Sequence, residues 1–174
     1  MLWAKAAHRL FWILKNDLVI FAKISTMIKV ELARVHGDYG FEVKDMYGQS
    51  VKIDNSPDHG GDNFGVRPMQ LVLMALAGCS GMDVISILKK QRQTVTDYKT
   101  IVYGEREAGV EPSLWKFIEM EFIIYGDVEE GKAQRAVELS VNKYCSVAAT
   151  LMKAGATIKW SVKVEKADTV TSSK

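Results

Sequence analysis

Hydrophobic and polar positions follow two different rhythms along this chain. From Met27 they alternate with a period of about two, through Ile28 to Val35, Tyr39 to Asp45 and Ser50 to Asp54, with His36-Gly37-Asp38 and Tyr47-Gly48 supplying turns between the stretches. That spacing predicts an antiparallel three-stranded meander. Residues 55–65 read Asn-Ser-Pro-Asp-His-Gly-Gly-Asp-Asn-Phe-Gly, a loop composition, and Pro68 suits the first turn of a helix that runs to about Gln91. Residues 71–88 are apolar on nearly all sides. Such a helix is expected to be buried between two layers, and at about 1.5 Å per residue it is about 36 Å long.

The period of two returns in Val95 to Glu107 and in Trp115 to Tyr125, either side of Ala108-Gly109-Val110-Glu111-Pro112. In the second stretch Ile118, Met120, Phe122 and Ile124 alternate with Phe117, Glu119, Glu121 and Ile123, as in a long hairpin. A second helical region opens near Val128-Glu129-Glu130, where carboxylates complement a helix N-terminus, and carries Ala133, Ala136, Val137, Leu139 and Val141. It is expected to break around Cys145. A short continuation through Ala148, Ala149, Leu151 and Met152 ends at Gly155, and Thr157 to Val164 closes the chain with a strand. Mixed strands and helices of this kind predict an α+β fold.

The first 26 residues differ. Leu10 to Leu14 and Leu18 to Phe21 are strongly apolar but are interrupted by Arg9 and Lys15-Asn16-Asp17. No run there reaches the roughly 18 to 20 residues that cross a bilayer, and Ala22 to Thr26 makes a poor signal-peptide cleavage site. No membrane span is expected. Residues 1–26 are read as an N-terminal extension upstream of a natural start at Met27, residues 27–166 as one domain, and residues 167–174 as a polar tail.

Composition narrows the chemistry. The chain has 174 residues, 48% of them hydrophobic, enough for one core. Its formal net charge is +2, with no basic block long enough to hold phosphates, so nucleic acid is not expected as a partner. Two cysteines do not make the disulfide lattice of a secreted scaffold, which places the protein in the cytoplasm with its thiols free.

Those thiols, Cys79 and Cys145, are the candidate reactive groups. Taken alone, a cysteine in Ala77-Gly78-Cys79-Ser80-Gly81 is most simply a buried packing residue. Rival sites are weaker. Asp58-His59-Gly60-Gly61-Asp62 lacks a second histidine at ligand spacing, so no metal site is expected. Ser80 and Ser86 lack a nucleophile-elbow pattern. Met69, Met74 and Met82 read as core filler, and Glu105-Arg106-Glu107 as a solvated strand end.

The stretch from Arg67 to Lys90, with Leu-Met-Ala-Leu-Ala-Gly-Cys-Ser-Gly-Met-Asp-Val at its centre, together with Leu139-Ser-Val-Asn-Lys-Tyr-Cys-Ser-Val147, resembles the OsmC/Ohr family and within it the YhfA-like branch. The resemblance covers Met27 to Val164 and rests on both cysteine contexts, 66 residues apart, and on the order of elements between them.

The resemblance implies an OsmC-like fold: antiparallel sheets around a long central buried helix, with two chains intertwined as a homodimer and the two cysteines meeting near the subunit interface. It implies a thiol-dependent peroxidase of the oxidative stress response, acting on organic hydroperoxides or hydrogen peroxide. Cys79 would attack as thiolate and become a sulfenic acid, and Cys145 would resolve it to a disulfide. A dithiol reductant, lipoyl-linked in the better-studied relatives, would then restore the pair, and no further cofactor is implied. The family activates its first cysteine with an arginine held by a glutamate. Where that glutamate would stand this chain has Met69 and Gln70, so Gln70 is the candidate anchor by a neutral hydrogen bond. Cys79 lies mid-helix, too far from the helix start for the dipole to act, and Arg34 and Arg67 are the candidate activating cations. The departure at Gln70 and the methionine-rich helix motivate an alternative, a weakly catalytic or noncatalytic module that binds a hydrophobic small molecule at the dimer interface.

Overall fold

A computed structural model describes residues 27–166, so the expectations for residues 1–26 and 167–174 lie outside the described residues. The described chain divides between Arg67 and Pro68 into two compact units.

The N-terminal unit is the expected meander. Strands β1 (Val30–His36), β2 (Gly40–Asp45) and β3 (Ser50–Ile53) pair antiparallel in sequence order. Gly37 at φ 47 and Gly48 at φ 85 take the left-handed conformations their turns need. All seven residues of β1 are exposed within the chain. The loop after β3 is built on a buried acid. Asp54, 2% exposed, accepts hydrogen bonds from the backbone N–H groups of Asn55 (2.7 Å), Asp62 (2.9 Å) and Phe64 (2.9 Å). Val66 runs back beside Ile53 in a parallel bridge, and Gly65 passes so close to Lys52 that a Cβ there would lie 2.3 Å from its carbonyl carbon. His36 stacks on Phe64, with ring centroids 4.8 Å apart.

The C-terminal unit starts with helix α1 (Pro68–Lys90), followed by the hairpin β4 (Thr94–Arg106) and β5 (Trp115–Asp127). Helix α2 (Glu130–Leu139), one π-helical turn (Ser140–Tyr144) and helix α3 (Ser146–Lys153) lead to β6 (Thr157–Glu165). The class is the expected α+β, but the closing strand adds a pair the spacing does not reveal: β6 runs parallel to β5. The helices between them supply the long crossover that a parallel pair requires, and β5 lies central in the order β4-β5-β6.

Alternation in β5 falls as expected. Ile118, Met120, Phe122 and Ile124 are buried, and they meet Leu76, Val84 and Leu88 of α1 and Ala133, Ala136 and Val137 of α2 in one core. The Trp115 indole N–H donates to the Met69 carbonyl at 3.2 Å and ties the start of β5 to the first turn of α1. Helix α1 departs from its expected burial on all sides. One face, Leu76, Ser80, Gly81, Val84 and Leu88, packs into the core, while Met74 is 51% and Met82 71% exposed. A helix that is apolar all round is one whose second face also needs cover, and within the C-terminal unit the described residues leave that face open. By length and composition alone α1 is also apolar enough to cross a membrane.

Candidate functional site

The two cysteines arrive from elements built in different ways. Cys79 lies in the middle of α1, partly exposed, on a turn made of small residues. The neighbouring Ser80 is fully buried and folds its hydroxyl back onto the Leu76 carbonyl at 2.7 Å, so it is committed to the helix backbone and not to chemistry. Gly81 lets the Tyr98 ring lie against the helix, where a Cβ would meet Tyr98 Cε1 at 3.2 Å. Burial pushes the Tyr98 phenol up to about 12, against the opposing hydrogen bond from Thr100, so it stays neutral.

Cys145 comes from a break in the helical region. Helix α2 widens into the π-helical turn, closed by the Cys145 N–H donating to the Ser140 carbonyl at 2.8 Å, and Cys145 itself is extended at φ −68, ψ 105. It then caps α3, its sulfur accepting the Ala148 N–H at 3.4 Å. The sequence predicts a break around Cys145; it does not predict that the thiol is the cap. The dipole argument that excludes Cys79 therefore applies in favour of Cys145, which sits at a helix N-terminus. Wide turns of this kind recur at functional sites.

The result is a convergence. The sulfurs of Cys79 and Cys145 and a carboxylate oxygen of Asp83 all lie within 4.8 Å of one another. Both cysteines are free thiols. Cys145 is 2% exposed, whereas Cys79 and Asp83 are partly open. Burial pushes the Cys145 thiol up to about 11, its hydrogen bond with Cys79 adds to the rise, and the Ala148 N–H opposes it. In the reduced state Cys145 holds its proton.

Asp83 is the residue that sequence reasoning missed. Its signal was present: Cys79 and Asp83 are four apart on one helix, hence on one face. Ser140, also fully buried, completes the surroundings. Its hydroxyl reaches the Ser80 carbonyl at 3.1 Å and Asp83 Oδ2 at 3.5 Å, linking the π-helical turn to α1.

The remaining candidates belong to other parts of the chain order. Gln70 is exposed on α1, nine residues before Cys79 and so about 13 Å back along the helix axis. Arg34 is exposed on β1 of the N-terminal unit. Arg67 closes that unit, donating to the Gly65 carbonyl and to Asn63 Oδ1. In the loop before it His59 pairs with the Ser56 hydroxyl at 2.9 Å and lies beside Asp58.

Comparison with known proteins places this geometry among relatives. The sequence profile of the OsmC-like protein family matches residues 59–161, which include both cysteines. Protein YhfA of Escherichia coli K12 is 48% identical over 88 residues; the match takes in 50% of this chain and 65% of the length of YhfA. A crystal structure of a hypothetical protein from Aquifex aeolicus VF5 is similar over 82% of this chain and 98% of its own, with 34% identity and a TM-score of 0.70. A crystal structure of an organic hydroperoxide resistance protein OsmC from Legionella pneumophila shares the fold at 17% identity, over 79% of this chain and 97% of its own, with a TM-score of 0.62.

Proposed function

Since the chain belongs to the OsmC-like protein family, and with it to the YhfA-like branch, we propose that it is a thiol-dependent peroxidase that reduces organic hydroperoxides or hydrogen peroxide. The observation that carries this reading is the meeting of Cys79 and Cys145 within 4.8 Å, although they come from two helical segments far apart in sequence.

Exposure assigns the roles. Cys79 is the sulfur that a peroxide in solvent can reach; Cys145 is buried behind it. The Cys79 thiolate attacks the distal oxygen of the hydroperoxide, the O–O bond breaks, and the alkoxide leaves and takes a proton as alcohol. Cys79 is now a sulfenic acid. The Cys145 sulfur attacks it, the S–S bond forms, and hydroxide leaves with the Cys145 proton as water. An external dithiol then attacks the accessible Cys79 sulfur, and Cys145 departs as thiolate at the N-terminus of α3, where the Ala148 N–H meets it. The dithiol ends as a disulfide, and both cysteines are thiols again. A lipoyl-type dithiol is the candidate reductant and the cytoplasm the compartment, because the cycle needs a surrounding that returns the pair to thiols.

Homodimerisation is part of the same reading. The open face of α1, with Met74, Gly78 and Met82 spaced four apart, and the exposed Val30, Leu32 and Val35 of β1 are apolar surfaces that a second copy would cover. The arginine that activates Cys79 is Arg34 or Arg67, with Gln70 as its neutral anchor in place of the family's glutamate.

The test is an intact-mass and thiol titration of reduced protein before and after one equivalent of cumene hydroperoxide, with disulfides mapped by non-reducing digestion. Loss of both thiols with a Cys79–Cys145 link is expected. Cys79→Ser should slow peroxide consumption at least about a hundred-fold, because it removes the nucleophile. Thiols left unreacted by cumene hydroperoxide and by hydrogen peroxide would overturn the assignment.

A further inference from the structure

The dithiol has a third member that the peroxide cycle does not use. Asp83 brings a carboxylate within 4.8 Å of both sulfurs, and nothing in the sulfenic acid or disulfide steps calls for an anion there. A carboxylate beside a thiol opposes formation of the thiolate. Its placement therefore asks for an explanation outside the proposed peroxidase chemistry.

Two sulfurs and one carboxylate oxygen are the ligand types of a thiophilic divalent cation. Around such an ion, with metal–sulfur bonds of about 2.3 Å and metal–oxygen bonds of about 2.0 to 2.2 Å, tetrahedral ligand atoms stand about 3.5 to 3.8 Å apart. The present separations, at most 4.8 Å, close to that value by a shift of about 1 Å, within reach of side-chain rotation. The supports are already in place. Cys79 and Asp83 are fixed one turn apart on α1, and the Cys145 sulfur is aimed by the Ala148 N–H. The Ser140 hydroxyl, which bonds the Ser80 carbonyl at 3.1 Å, lies 3.5 Å from Asp83 Oδ2, the kind of outer polar neighbour that stands beside a metal-binding carboxylate. Three protein ligands leave a fourth position open, on the side where Cys79 and Asp83 are partly exposed.

We propose that the reduced protein binds one zinc-class divalent cation through Cys79, Cys145 and Asp83. Binding and disulfide formation then exclude each other, because the disulfide consumes two of the three ligands. A bound cation shields the thiols from peroxide, and peroxide that reaches a free pair abolishes the site. The inference needs only the reduced thiols and the carboxylate, so it stands or falls separately from peroxide turnover.

Anaerobic titration of the reduced full-length protein with Co²⁺ as a spectroscopic stand-in tests it. One equivalent should give thiolate-to-cobalt charge transfer and tetrahedral ligand-field bands, both erased by added Zn²⁺. Asp83→Asn should weaken binding at least about ten-fold, and Cys79→Ser or Cys145→Ser should lower it further and cut the charge-transfer intensity. A control that needs no substitution is the wild-type protein oxidised with diamide, which should bind no cobalt at this site. Absence of charge transfer from the reduced protein, unchanged affinity in Asp83→Asn, or equal binding by the oxidised protein would each overturn the proposal. Cobalt binding without peroxide turnover would leave it standing and remove the peroxidase reading; turnover without binding would do the reverse.

Discussion

The two units of this chain hold themselves together by different means. The C-terminal unit has an apolar core, with Leu76, Met120, Phe122, Ile124 and Val137 each fully or almost fully buried. The N-terminal unit exposes Val30, Leu32, Val35 and Val51, and the buried side chain at its centre is the charged Asp54, held by backbone donors. In one unit burial of hydrocarbon decides the structure; in the other local hydrogen bonding does. The difference shows in the chemistry each can support. A dry core holds Cys145, Ser80 and Ser140 in fixed positions and raises the Cys145 thiol, whereas an open sheet offers surface for a partner to cover.

A cavity in the C-terminal core is the largest test of that contrast. Phe122→Ala removes a side chain that is 1% exposed on the central strand, and should cost about 3–5 kcal/mol in denaturant unfolding. A loss below about 1 kcal/mol would mean that the core can collapse around the gap, contrary to close packing. The expected loss is large because β5 faces α1 and α2 together.

The next test takes one oxygen from the link between the two cysteine-bearing segments. Ser140→Ala deletes the hydroxyl that bonds the Ser80 carbonyl and Asp83, and should cost about 1 kcal/mol, as a single buried hydrogen bond does. It should also slow disulfide formation after peroxide treatment, because the π-helical turn that presents Cys145 loses its tie to α1. Rapid-quench mass spectrometry reads that rate. An unchanged rate would show that the cap on α3 positions Cys145 unaided.

How much of this was legible in the sequence follows the same division. Alternation in β5 identified Ile118, Met120, Phe122 and Ile124 as the inward set, because a half-buried strand writes its burial directly into a period of two. The meander and its glycine turns were legible for the same reason. Helix α1 was located almost to the residue, but which of its faces packs within the C-terminal unit was not legible, since an apolar surface looks the same in sequence whatever covers it. The parallel pairing of β6 was invisible: a strand's residues do not state the direction of its neighbour. Both cysteines were found through their motifs. Asp83 was passed over although its spacing of four from Cys79 puts the two on one face, because that spacing gains a chemical meaning only when the fold brings Cys145 beside them.

The N-terminal unit gives the finest test, since its central group titrates. Burial by itself would raise the Asp54 carboxyl, but the N–H groups of Phe64, Asp62 and Asn55, with the Arg67 charge, outweigh burial and hold it below its ordinary value of 3.8. A carboxyl lowered on folding binds its proton less readily in the folded state, so the stability it contributes is present above about pH 4 and is lost as pH falls through the lower folded value. Asp54→Asn keeps the shape but removes the charge. At neutral pH the amides of Asp62 and Phe64 should exchange with solvent about ten-fold faster in this variant, while those of β5 stay unchanged. As pH falls below about 4 the wild-type protein should lose protection at these amides and the variant should lose little more. If the variant instead kept the wild-type pH profile, the loop would be held by its glycine-dependent close approaches at Gly61 and Gly65, and the charge at position 54 would have no part in it.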